Sequence, residues 1–388
     1  MSIDSALKPH ERPEERRALR ALLLQGKSIL QLGPRRVGKT WVAKQLAHDL
    51  GPDWVVVMCD AQGRTTEAEL LEHVCREIEA TAGLKGFAKG RFGQAFKNLQ
   101  AGRVEAWQDL FKTDWRAFLE TLVANLGTLE RESVIVIDEL ALLLLALRQT
   151  DPGASLNFLY WLRGMQQKHT RVRWFFTGSV GLHSVARQDE VEGALVDLAI
   201  TSLGPFDAAA TQSYLEQLCE DGEILRPFRL DNEGFAHFVN ELGWLSPYYI
   251  EQVAKLVKPG GPMSTPAHRP LATKSDIDAA FSALLQPEHK TYFSIWREHL
   301  SKNFPQLERA QLRAILDRVS EQAEGELLDT LIAEFGGSPH SLTRPVLRER
   351  LDALLLDAFL LETGDEERPR FRFRSGLLRR YWRRYEIA

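Results

Sequence analysis

Cysteine and methionine are scarce in this 388-residue chain, at three and four residues. Cys59, Cys75 and Cys219 are odd in number and show no CxxC spacing. That argues against a disulfide-stapled scaffold and against a cysteine-held metal, and predicts buried thiols in a reducing compartment. Long hydrophobic runs are missing too, since the longest, Leu140–Leu147, falls far short of a membrane span. The opening residues, MSIDSALKPHERPEERR, are polar and charged, without the apolar stretch of a secretory signal. The expectation is a cytoplasmic protein with no membrane partner. Large net charge is also absent, at −4 from 49 basic and 53 acidic residues. Any surface for a polyanion must therefore come from local segregation of charge.

What is present is a globular composition, 44% apolar and 26% charged, enough to give roughly two or three domains a core each. Pro13–Gln25 repeats apolar residues at helical spacing, and Ser28–Leu32 reads as a short strand. Thr40–Leu50 and Glu67–Ala82 read as helices. Trp54–Cys59, Val134–Ile137 and Val172–Thr177 are β-branched or aromatic runs fit for buried strands. Strands alternating with helices predict an α/β fold, a parallel sheet flanked by helices. Asp207–Val257 reads as helices only, broken by GWLSP, and PGGPMSTPAHRP (Pro259–Pro270) is dense in proline and glycine. The expected division is a core over residues 1–203 with an insertion at 81–112, a helical lid over 204–258, a linker over 259–272 and a C-terminal module over 273–388.

Chemistry concentrates first in Gly33-Pro34-Arg35-Arg36-Val37-Gly38-Lys39-Thr40, which fits G-x-x-x-x-G-K-[ST] without a mismatch. Glycines here let successive backbone N–H groups turn inward around phosphate oxygens. Lys39 suits the β- and γ-phosphates, and the Thr40 hydroxyl suits Mg²⁺. The helix that starts near Gly38 adds the positive end of its dipole. An apolar strand before the loop and a helix after it supply the setting such a loop needs. These eight residues, with Trp41 directly after them, form the expected nucleotide-binding set.

A second run, VIVIDE, ends in two acids. Asp138 is placed to hold Mg²⁺, and Glu139 to polarise an attacking water. The bland reading is that both acids merely start the helix from Leu140. The next apolar strand ends in Thr177-Gly178-Ser179, so Thr177 and Ser179 are the candidates to contact the γ-phosphate or the water. An ordinary turn is the competing reading.

Together LGPRRVGKT, VIVIDE, FFTGSVGL, SLGPFD and GWLSP resemble the AAA-type ATPases of the archaeal-ATPase and STAND-like group. The resemblance covers about Pro13–Val257 and implies ATP and Mg²⁺ as cofactors, with water as the nucleophile. It implies that SLGPFD opens the lid and that Pro247, with Tyr248, lies near adenine. Two departures stand out: HERPEER replaces the F-x-G-R-E motif of many relatives, and the lid lacks a G-A-R sensor arginine. Arg35, Arg36, Arg171, Arg173 and Arg187 are the candidates for an arginine finger. A homo-oligomer would be needed for one acting in trans.

Two segments suit partners. Thr81–Val104 has no carboxylate and interleaves five basic residues with Phe87, Phe92 and Phe96. It could meet DNA or RNA, or pack its phenylalanines on the core. Near the C-terminus, Gln311–Val319, Glu326–Phe335 and Val346–Phe359 read as helices, and Leu360–Thr363 with Arg370–Arg374 as a hairpin, an order resembling a winged helix. From Arg368 to Arg384 the chain has eight arginines and no acid. Arg370, Arg372, Arg374, Arg379 and Arg380 could face nucleic acid, pair with Asp365, Glu366 and Glu367, or dock on the core. The sequence thus predicts an ATP-hydrolysing switch in a nucleic-acid-linked or defence-related process. The alternative is an ATP-gated adaptor with little turnover that binds a protein partner through its C-terminal module.

Overall fold

The computed structural model describes residues 12–81, 115–151, 153–178, 192–260, 265, 267–304, 306–337 and 341–387. Contacts divide the chain into two units, one of Met1–Gly33 with Lys39–Leu203, the other of Pro34–Gly38 with Gly204–Ala388. Most of the expected insertion, residues 82–112, lies outside the described residues.

The first unit is built on five parallel strands in the order β2-β3-β4-β1-β5. They are β1 (Ile29–Leu32), β2 (Trp54–Asp60), β3 (Glu132–Asp138), β4 (Val172–Gly178) and β5 (Ala199–Ser202). Helices α1 (Pro13–Leu24), α2 (Lys39–Leu50), α3 (Glu67–Ala80), α4 (Trp115–Gly127), α5 (Leu140–Thr150), α6 (Ala154–Lys168) and the short α7 (Glu192–Leu195) complete it. Alternation along each strand sorts the side chains. Leu30, Val57, Ile135, Ile137, Trp174 and Phe176 form one buried face with Val74, Phe118, Leu144 and Phe158 from α3 to α6. Cys59, Cys75 and Cys219 are buried thiols outside any disulfide, as the composition predicted.

Two strands depart from the sequence reading. The run Trp54–Cys59 suggests a strand covered on both faces, but β2 is an edge strand whose Val56 and Met58 are only half-buried. β5 was not anticipated. AITS is short and half polar, and as the opposite edge strand it leaves Ile200 59% exposed. A strand with one neighbour and no buried face lacks the apolar pattern that betrays a strand.

The second unit opens with the helices α8 (Ala208–Glu220), α9 (Asn232–Leu242) and α10 (Pro247–Ala254). Asp207 of the PFD segment caps α8, its carboxylate accepting from the Ala210 N–H at 2.7 Å. Next come α11 (Lys274–Leu284), a 3₁₀ turn at Pro287–Phe293, and α12 (Ser294–Asn303). The rest is α13 (Gln306–Glu321), β6 (Glu326–Leu327), α14 (Leu328–Phe335), α15 (Arg344–Leu356), β7 (Leu360–Thr363), β8 (Arg370–Phe373) and α16 (Gly376–Tyr385). β6, β8 and β7 form an antiparallel sheet in that order. From α13 to β8 the order is helix, strand, helix, helix and hairpin. The expected helix at Glu326 starts two residues later because Glu326 and Leu327 pair with Phe371 and Arg370.

Aromatic packing joins the lid helices to the C-terminal module. Phe293 stacks on Tyr249 at 5.4 Å between ring centres and on Tyr381 at 4.4 Å. Ser375 donates to the Leu242 carbonyl at 3.0 Å, and Arg380 pairs with Glu241 at 2.8 Å. Residues 204–388 therefore group as one unit, with the 259–272 segment inside it.

Gly325 has φ +80, and an added Cβ would overlap the Phe371 carbonyl oxygen of β8. Left-handed backbone and a backbone clash act together here. Gly325→Ala is expected to destabilise the second unit by about 2–3 kcal/mol, read as a lower denaturant midpoint at unchanged slope.

Candidate nucleotide site

The phosphate loop leaves β1, Asp138 ends β3, and Thr177-Gly178 ends β4. These three strands are neighbours in the sheet, so the three segments meet at one carboxyl edge, where open α/β sheets place their ligands. The sequence names the residues, and the strand order brings them together.

Within the first unit the contacts are short. The Lys39 ammonium donates to the Gly33 carbonyl at 2.9 Å and lies 3.7 Å from a Glu139 carboxylate oxygen. The Thr40 hydroxyl donates to Asp138 Oδ2 at 2.5 Å. The Thr177 hydroxyl donates to Asp138 Oδ1 and accepts from the Glu139 N–H, the latter at 3.2 Å. Lys39, Asp138 and Thr177 are all buried. Thr177 thus fixes both acids, the first through its carboxylate and the second through its backbone. Ser179 lies outside the described residues.

Glu139 has φ 55 and ψ 39, a left-handed conformation that is uncommon for a residue with a Cβ. It occupies the N-cap of α5, yet its side chain makes no capping bond. The carboxylate faces Lys39 and not the helix end. Strain of this kind concentrates at functional sites.

The loop itself corrects one expectation. Gly38, at φ +97, takes the left-handed backbone expected of a loop glycine. Gly33 is required for a different reason: an added Cβ would sit 2.5 Å from the Leu203 carbonyl oxygen, just past β5. Arg36 is the loop's other left-handed residue, at φ 69. Trp41, half-buried on α2, lies under the Arg16 guanidinium at 6.0 Å from ring centre, and Arg16 in turn grips both Asp49 oxygens.

Residues Pro34–Gly38 group with the second unit. The Arg36 guanidinium lies 4.0 Å from the centre of the Tyr248 ring, and the Arg36 carbonyl accepts from the Ser246 hydroxyl at 2.7 Å. The Arg35 charge acts on Asp357, at the end of α15. Pro247 is the first residue of α10 and half-buried. The resemblance would place Tyr248 against a base, but the guanidinium covers a face of its ring. Ser246 is the residue that sequence reasoning missed. A serine before a helix proline reads as an ordinary cap, and nothing local signals a bond to a residue 210 positions away.

The finger candidates also resolve in part. Arg173 pairs with Glu132 and lies over the Trp54 ring at 5.4 Å, while Arg187 lies outside the described residues. Of the tail arginines, Arg370 donates to the Gly325 carbonyl at 2.7 Å, Arg374 to Leu360 at 3.3 Å and Arg379 to Ser320 at 2.9 Å. With Arg380 on Glu241, four of the five arginines that could face nucleic acid serve the second unit's own structure. Burial pulls the Arg374 guanidinium below its ordinary range. Phe371 and Phe373 point inward from β8, as the RFRFR alternation predicts.

A hydroxyl and a carboxylate already in contact, Thr40 and Asp138, are the hard oxygen donors that Mg²⁺ takes. The donor set therefore fits that ion.

Comparison with known proteins bears on the domain and the fold. Residues 24–185 match the sequence profile of the AAA domain. No curated protein matches the chain in sequence. A Walker-type ATPase of Pyrococcus abyssi is similar in fold, with 17% identity, 99% of this chain and 100% of that one covered, and a TM-score of 0.63. Fainter likeness extends to two Aeropyrum pernix proteins. For ORC2 with ADPNP and ADP, identity is 13%, coverage 96% and 92%, and TM-score 0.46. For ORC1 in complex with DNA the values are 14%, 97% and 93%, and 0.44. Residues 24–185 of this chain are a domain of the AAA P-loop ATPase family.

Proposed function

We propose that the chain binds Mg²⁺–ATP and hydrolyses it, using the cycle as a conformational switch. The observation that carries this reading is the convergence of Lys39, Thr40, Asp138, Glu139 and Thr177 on one buried edge of the sheet. Lys39 neutralises the β- and γ-phosphates, and the inward N–H groups of the loop hold their oxygens. Thr40 and Asp138 would hold Mg²⁺, which would offset charge on the phosphates.

Glu139 then acts as base. A water oxygen bonds to the γ-phosphorus while the bond from that phosphorus to the β,γ-bridging oxygen breaks, and the water proton passes to Glu139. ADP and inorganic phosphate result. Thr177 orients both acids through its hydroxyl, so a shift of either is felt at the other. The loop residues Pro34–Gly38 belong by contact to the unit that carries the winged-helix-order module, which supports coupling of nucleotide to that module.

Phosphate release from ATP, measured with and without duplex DNA or single-stranded RNA, tests the reading. Turnover above background supports an ATPase, and stimulation by nucleic acid supports a nucleic-acid-linked role. Tight ATP binding with no turnover under any condition would leave the adaptor reading in place.

A further inference from the structure

Arg36 sits inside the phosphate loop, and both its carbonyl and its guanidinium meet the start of α10. Its carbonyl accepts from Ser246 at 2.7 Å, and its guanidinium lies 4.0 Å from the centre of the Tyr248 ring. Ser246 is wholly buried and stands at the N-cap of α10, where a serine oxygen usually accepts from the helix's own first-turn N–H groups. Here it makes no such bond and donates to the loop instead.

Tyr248 is held as firmly on its other contacts. Its ring meets Tyr249 edge-on at 5.2 Å and Tyr292 edge-on at 6.2 Å. The buried Tyr249 hydroxyl accepts from the Trp296 indole at 2.7 Å and donates to the Tyr292 carbonyl at 3.3 Å. The platform under Arg36 is therefore a braced part of the second unit. Arg36 itself takes φ 69, which a residue with a Cβ adopts only when its surroundings hold it there.

We propose that Ser246, Tyr248 and Arg36 form a latch. Its two clamps, one on the carbonyl and one on the guanidinium, set the loop's left-handed turn and report phosphate occupancy to α10. The proposal rests on the nucleotide reading above, since phosphate is the ligand that the loop's N–H groups would turn toward. Ser246 and Tyr248 are positioning residues, acting on the ligand through the loop backbone. When phosphate fills the loop, the Arg36 backbone is held at both ends, and α10 loses freedom with it.

The test is backbone hydrogen exchange of residues 247–254 with and without Mg²⁺–ATP, together with ATP titrations. It compares the full chain with Tyr248→Phe, Tyr248→Ala, Ser246→Ala and Arg36→Lys. In the wild type and in Tyr248→Phe, which keeps the ring, ATP should slow exchange in this segment by about fivefold or more. In Ser246→Ala, Tyr248→Ala and Arg36→Lys that response should fall below about twofold. ATP affinity should drop by about tenfold, the scale of one buried hydrogen bond or cation–π contact. Should Tyr248→Ala fail to fold, Ser246→Ala and Arg36→Lys carry the same comparison.

An ATP response that persists undiminished in those variants overturns the latch and leaves the nucleotide reading standing. So does wild-type ATP binding that does not reach residues 247–254. Wild-type chain that binds no nucleotide overturns the nucleotide reading, and the latch with it.

Discussion

Glu139→Gln is expected to lower ATP turnover by about two to four orders of magnitude, the usual contribution of a positioned general base. Glutamine keeps the size and the left-handed backbone of residue 139 but cannot take the water proton. Lys39 keeps its bond to the Gly33 carbonyl, 2.9 Å long, when its second contact at 3.7 Å loses charge. Nucleotide should therefore still bind, and the variant should accumulate ATP complex in place of ADP complex. Rapid-quench measurement of bound ATP and ADP separates the two. Equal turnover in the variant and the wild type would remove Glu139 from the mechanism and return it to the start of a helix.

Asp357→Asn is expected to remove most of a pH dependence from the second unit's stability. Asp357 is buried at the end of α15, and burial pushes its carboxyl up to about 7, against a partial pull downward from the Arg35 charge. The folded state therefore holds a proton that the unfolded chain gives up near pH 4. Stability is present in full below the unfolded value and falls as pH rises through about 7, by up to about 4 kcal/mol. Asparagine does not titrate. The variant should match the wild type near pH 3.5 and exceed it at pH 8, with the difference growing between about pH 4 and 7. Melting curves at several pH values read this directly. A difference independent of pH would show that Asp357 stays ionised in the folded chain. Since Arg35 belongs to the phosphate loop, the same variant also reports whether that charge shapes ATP binding.

Local pattern explains what could be read from the chain. The phosphate loop, the VIVIDE acids and the RFRFR strand each write their chemistry within about eight consecutive residues, where spacing alone suffices. β5 was invisible because its four residues have one neighbouring strand and little buried surface. Gly33 was legible as a loop glycine but not for its reason, which is the Leu203 carbonyl brought near by that unseen strand. The left-handed turn at Glu139 has no sequence signature at all, since glutamate does not favour it. Most hidden was Arg36. Its partners Ser246 and Tyr248 are more than two hundred residues away, and a cation over a ring leaves no periodic trace in sequence. The tail arginines show a related gap between pattern and contact. Charge density marks them as a group, but not that the backbone carbonyls of Gly325, Leu360 and Ser320 accept from Arg370, Arg374 and Arg379.

The central claim is that this loop binds ATP through Lys39, and equilibrium titration with Mg²⁺–ATP tests it most directly. Wild-type chain should bind one nucleotide saturably, and Lys39→Ala should bind it weaker by about 100-fold, the loss of charge-assisted hydrogen bonds to phosphate. Binding of equal strength in both, or none in the wild type, would contradict the account.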